Sequence, residues 1–116
     1  MIIVVVEDNR ILREREIEAI RKALKDYDYK IVEYSDFTKE LKKLIQTTDF
    51  KIYVLDIELQ NSSGIDIANY IRDYDDTSEI IMCSFHNELE YKVLKSKLKI
   101  LDFVSKYDNA YVNLTN

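Results

Sequence analysis

The sequence predicts an α/β fold: one doubly wound sheet of five parallel strands. Three observations carry this prediction. Five short apolar runs recur along the chain, the segments between the first four show helical rather than alternating spacing, and strand and helix patterns alternate throughout. Right-handed crossovers then place helices on both faces of a single sheet.

"MIIVVVE" and "KIYVLDI" are continuous Val- and Ile-rich runs, as expected of strands covered on both faces, and "YKIVEY", "EIIMCSF" and "KILDFVS" resemble them. After the first run, Ile17, Ile20, Leu24 and Tyr27 share one helical face; after the second, Phe37, Leu41, Leu44 and Ile45 do the same. A third helix fits Ile65 to Tyr74 and a fourth fits Glu88 to Lys97. With 116 residues, no internal repeat and no linker, residues 1–116 read as one domain.

Composition narrows the function classes. A chain with 47% apolar and 34% charged residues has the balance of a soluble globule. No apolar run reaches the ~18 residues of a membrane helix, and the first residues lack a signal peptide's basic flank, so no membrane role and a cytoplasmic location are expected. The net charge of -5 and pI near 4.9 argue against this stretch gripping nucleic acid by itself. One glycine, Gly64, cannot write a glycine-rich phosphate loop, and the single cysteine, Cys83, reads as a buried thiol.

Sheets of this kind carry their sites at the carboxyl ends of the strands, where the strand order reverses. Glu7 and Asp8 follow strand one, Asp56 ends strand three, Ser84 ends strand four and Lys106 follows strand five. Desolvating a lone carboxylate is costly, so Asp56 needs either an exposed strand tip or partners. Taken singly, each residue has a plainer reading: the acidic pair could cap a helix, and Lys106 could be a solvated surface lysine. Together they place three acids, a hydroxyl and an ammonium at four strand ends.

This constellation resembles the receiver domain of two-component response regulators: "VVEDN" is similar to its acidic pair, "YVLDIEL" to its phosphoacceptor strand, "IIMCS" to its hydroxyl strand and "LDFVSK" to its lysine strand. The likeness runs from residue 2 to about residue 110, and "DIEL", "SFHNELEY" and the "YD" after the lysine look closer to receivers of LytTR-type transcription regulators. The resemblance implies a flavodoxin-like strand order of 2-1-3-4-5 and a phosphoryl-accepting Asp56 served by a sensor histidine kinase. It also implies Mg2+ or Mn2+ held by Asp8, Asp56 and the Glu58 backbone carbonyl, with Glu7 acting through water. Ser84 and Lys106 then receive the phosphoryl oxygens, Phe103 takes the aromatic switch position, and Glu58 and His86 take positions that tune phosphoryl lifetime.

The chemistry gives its own reasons for these residue types. A carboxylate can attack phosphorus to form an acyl phosphate, but clustered anions repel the donor until a hard divalent cation intervenes. Two features depart from the family: Phe103 has no hydroxyl, and Tyr107 follows the lysine where many receivers have proline. Phe85, directly after Ser84, stands where a small residue is usual; it either hinders the donor's approach to Asp56 or packs on the following helix.

After Lys106 only "YDNAYVNLTN" remains, so a fifth helix is expected to be truncated or missing, with an output domain lying outside this stretch. DNA contact would belong to that output domain, and homodimer formation on phosphorylation is compatible with the reading. The expected function is a regulatory switch rather than a turnover enzyme, with at most intrinsic autodephosphorylation. Two rivals remain at this point: a degenerate receiver acting by protein contact, and a haloacid-dehalogenase-like phosphohydrolase suggested by the acid-x-acid spacing of Asp56 and Glu58.

Overall fold

The computed structural model describes residues 1–84 and 98–105, with backbone alone for Phe103 and Ser105. Five strands, β1 (Ile2–Val6), β2 (Lys30–Tyr34), β3 (Lys51–Asp56), β4 (Glu79–Ser84) and β5 (Ile100–Ser105), form one parallel sheet in the order β2-β1-β3-β4-β5. Between them run α1 (Arg10–Ala23), α2 (Lys39–Ile45) and α3 (Gly64–Tyr74). The fold class and strand order therefore stand as expected. The fourth helix read at Glu88 to Lys97, and everything after Ser105, lie outside the described residues.

The two-residue period of a strand divides the apolar runs between two cores. Val4, Val6, Tyr53, Leu55, Ile80 and Met82 meet Leu41 and Ile45 of α2 and Ile67, Ala68 and Ile71 of α3 on one face. Ile3, Val5, Val54 and Cys83 meet Ile17 of α1 on the other, with Ile20 and Leu24 at the edge. Cys83 is thus the buried thiol its neighbours in the sequence imply. Along β5 the phase changes: Ile100 packs with the α2/α3 core, whereas Val104, also even-numbered, packs with the α1 core. The cause is a register irregularity: Ile80 pairs with Ile100 but Ile81 pairs with Asp102, so Leu101 is an extra residue and stands exposed.

Two details of the helix pattern need correction. Tyr27 lies beyond α1, which is capped at Leu24, and is 65% exposed rather than buried on the helix face. Phe37 precedes α2 instead of belonging to it, yet it packs against the core and meets Tyr70 edge-on with centroids 5.4 Å apart.

At the amino end of the sheet, the first residue of β3 is a fully buried lysine. Lys51 Nζ donates to the carbonyls of Thr47 (3.0 Å) and Asp49 (2.7 Å) and stands 3.6 Å from Asp75 Oδ2. Asp75 Oδ2 also accepts from the Tyr53 hydroxyl (3.1 Å) and the Ser78 hydroxyl (2.5 Å), and Asp75 Oδ1 accepts from the Ser78 N–H (3.1 Å). This cluster is how a lysine can open a central strand: its charge is met by a carboxylate and two carbonyls.

Candidate functional site

The acidic pair and Asp56 come from the two strands at which the sheet order reverses, β1 and β3. Glu7 and Asp56 are buried and Asp8 is half-buried; one carboxylate oxygen from each lies within 4.8 Å of the other two. Asp56 is 2% exposed, so of the two alternatives open in the sequence it takes the one that needs partners.

Local hydrogen bonds hold these groups in place. Glu7 Oε2 accepts from the Asn9 N–H (3.2 Å), and the Glu7 carbonyl accepts from Arg13 Nη1 (2.7 Å), whose Nε donates to Glu33 Oε1 at 3.0 Å. Asp8 Oδ2 accepts from the Gln60 N–H (2.8 Å), tying the acidic pair to the loop after β3. Asp56 Oδ1 accepts from the Glu58 N–H (3.2 Å). The acidic pair does not cap the helix that follows: Asn9 is the N-cap of α1, its Oδ1 accepting from the Leu12 N–H at 3.0 Å. The plainer reading of Glu7 and Asp8 as capping residues is thereby removed.

The loop from Ile57 to Ser63 is fastened at several points. The Ile57 N–H donates to the Cys83 carbonyl (3.0 Å), Glu58 bridges antiparallel to Ser63, and the Ser62 hydroxyl donates to Asp36 Oδ1 (2.6 Å). That hydroxyl bond, with the Phe37 N–H, holds the Asp36 carboxyl below its usual range. Gly64, the first residue of α3, approaches the end of β3 so closely that a Cβ there would lie 2.3 Å from the Asp56 carbonyl oxygen and 2.9 Å from Ile57 Cα. The single glycine thus lets a helix begin against the backbone of Asp56.

Ser84 ends β4, is fully buried, and donates its hydroxyl to Glu58 Oε1 at 2.5 Å. Ser84 pairs with Ser105, so the register brings β5 alongside it one residue before Lys106. Lys106, Phe85 and His86 lie outside the described residues, as does the side chain of Phe103. The reading of sequence missed the Asn9 cap, the Arg13 brace, the backbone role of Gly64 and the Glu58 side chain's reach to Ser84. Asn9 was detectable, being an N-cap type directly before a helical pattern. The others depend on approach in space and leave no periodic signal.

Three clustered carboxylates are hard oxygen donors whose mutual repulsion a divalent cation relieves, so the residues present fit Mg2+ or Mn2+.

Comparison with known proteins bears on the family and the fold. The family model for the response regulator receiver domain matches residues 3–111. Among solved structures, a response regulator receiver domain from Rhodospirillum rubrum superposes with a TM-score of 0.79 at 19% identity, covering 99% of this chain and 89% of that one. The response regulator TrrA from Thermotoga maritima, in complex with Mg2+ and BeF, gives 0.64 at 23% identity over 97% of this chain and 95% of that one. A LuxR-family two-component response regulator from Aurantimonas sp. SI85-9A1 gives 0.69 at 23% identity, covering 93% and 75%. No curated protein matches the chain.

Proposed function

The chain belongs to the response regulator receiver domain family, and from that premise we propose that it accepts a phosphoryl group on Asp56 from a sensor histidine kinase and so switches an output domain. The observation that carries this reading is the meeting of Glu7, Asp8 and Asp56 within 4.8 Å at the point where the strand order reverses. In the transfer, an Asp56 carboxylate oxygen attacks phosphorus, the phosphorus–nitrogen bond to the donor imidazole breaks, and the electron pair leaves on that nitrogen. Ser84 and Lys106 receive the phosphoryl oxygens and stabilise the charge that spreads over them.

Asp8, Asp56 and the Glu58 backbone carbonyl would hold Mg2+ or Mn2+ directly, and Glu7 would act through water. A bound cation supplies neutralisation of the carboxylates and of the incoming phosphoryl charge. Phe103, which has no hydroxyl, takes the switch position, and Glu58 and His86 tune how long the phosphoryl group persists. Phe85 hinders direct approach of small donors. The protein works in the cytoplasm and its output is DNA-binding transcription regulation, a reading supported by the likeness of "DIEL" and "SFHNELEY" to LytTR-type receivers.

The reading is tested with acetyl phosphate and Mg2+, followed by intact-mass spectrometry. One phosphoryl group per wild-type chain and none on Asp56→Asn is the expected result. Equal labelling of both proteins would exclude Asp56, catalytic release of phosphate would favour a hydrolase, and no labelling of either the wild type or Phe85→Ala would favour a receiver that acts by contact. For Phe85, Phe85→Ala should label faster; an unchanged rate would make the ring a packing residue.

A further inference from the structure

We propose that the Glu58 carboxylate is a latch on the Ser84 hydroxyl: it takes up that hydroxyl's one proton in the resting state and so sets the threshold for activation. The inference rests on the phosphoacceptor reading of Asp56 and adds a regulatory contact built from this chain's own residues. Ser84 Oγ donates to Glu58 Oε1 at 2.5 Å, while the Glu58 N–H donates to Asp56 Oδ1 at 3.2 Å. One residue therefore contacts the acceptor through its backbone and the hydroxyl through its side chain.

A serine hydroxyl has one proton to donate. Given to a carboxylate, it makes a charge-assisted bond, which is stronger than a neutral one. The same proton cannot also serve a phosphoryl oxygen on Asp56, so the phosphorylated state must break the Ser84–Glu58 bond. A phosphoryl group on Asp56 promotes that exchange in two ways, attracting the Ser84 proton and repelling the Glu58 carboxylate. By linkage, whatever the latch adds to the resting state is subtracted from the affinity of the site for phosphoryl. Glu58 is thus a positioning residue whose side chain opposes activation.

The test is a beryllofluoride titration at saturating Mg2+, read from the bound 19F NMR signal, for wild type, Glu58→Gln, Glu58→Ala, Ser84→Ala and the Glu58→Ala/Ser84→Ala pair. Loss of a charge-assisted bond leads us to expect Glu58→Ala to bind about tenfold more tightly. The near-isosteric Glu58→Gln, whose neutral carbonyl accepts more weakly, should fall between the two and guards against misfolding of the alanine variant. In the Ser84→Ala background the gain should shrink to the smaller part due to removing a like charge. Equal affinity in wild type and Glu58→Ala, or the same gain with and without Ser84, would overturn the latch and leave the phosphoacceptor reading standing. Failure of every protein to bind beryllofluoride would overturn both.

Discussion

Gly64 shows how one residue couples fold to site. Its missing Cβ allows α3 to start against the Asp56 carbonyl, and the Gly64 N–H donates to the Ile57 carbonyl at 3.0 Å. Gly64→Ala must push the helix start off the end of β3, because the clash is with backbone that has no rotamer to change. A loss near the upper end of the roughly 1–3 kcal/mol of overpacked sites is expected by urea denaturation, together with shifted Asp56 and Ile57 amide resonances. Stability equal to wild type would show that the loop yields without cost. Asp75 gives a second prediction at this scale. Burial pushes its carboxyl up, but the Ser78 hydroxyl and N–H, the Tyr53 hydroxyl and the Lys51 charge together leave it below its usual range. Since the unfolded chain takes up the proton first as pH falls, this contribution is complete above the ordinary carboxylate pKa and is lost as pH falls through the folded-state value. Asp75→Asn should therefore flatten the acid limb of a stability curve measured between about pH 7 and about pH 3. An unchanged limb would mean that other carboxylates control acid unfolding.

At the scale of elements, apolar runs made the strands legible because a parallel strand covered on both faces needs an uninterrupted run. The same signal concealed the β5 bulge: "KILDFVS" reads equally well with or without an extra residue, and only pairing with β4 reveals Leu101 as the insertion. Tyr27 continued the helical spacing by chance, since the helix had already ended at Ala23. The turn into β5 was also invisible. Lys99 there has φ 54°, and Arg72 of α3 clamps it, donating to the carbonyls of Leu98 (2.8 Å), Lys99 (3.0 Å), Ser78 (2.8 Å) and Asp75 (3.1 Å). Burial lowers the Arg72 pKa, the nearby acids oppose that shift, and the guanidinium stays charged. Lys99→Gly relieves the left-handed strain and should be neutral to stabilising by up to about 1 kcal/mol, whereas Arg72→Ala leaves carbonyls without their donor and should cost about 2–3 kcal/mol. Thermal melts of the two variants check the opposite signs; a destabilised Lys99→Gly would show that the Lys99 side chain contributes more than the strain removes.

Across the whole molecule, the two ends of the sheet treat charge differently. The amino end meets the Asp75 carboxylate with Lys51, Tyr53 and Ser78, while the carboxyl end gathers Glu7, Asp8 and Asp56 within 4.8 Å. The second end was legible because strand termini bring distant residues together by topology alone; the first was not, because a lysine opening a strand looks like any exposed terminus. Concentrated like charge should make the fold respond to divalent cations: millimolar Mg2+ should raise the melting temperature, with a gain that follows binding linkage. Asp8→Ala should abolish most of that response, and a response left intact would displace Asp8 from the ligand set. The central claim, that Asp56 is the phosphoacceptor, is tested most directly by trapping the acyl phosphate. After labelling with acetyl phosphate and Mg2+, borohydride reduction followed by peptide mass spectrometry should find homoserine at position 56 alone; homoserine at another aspartate, or none in a chain that has taken up phosphate, would contradict it.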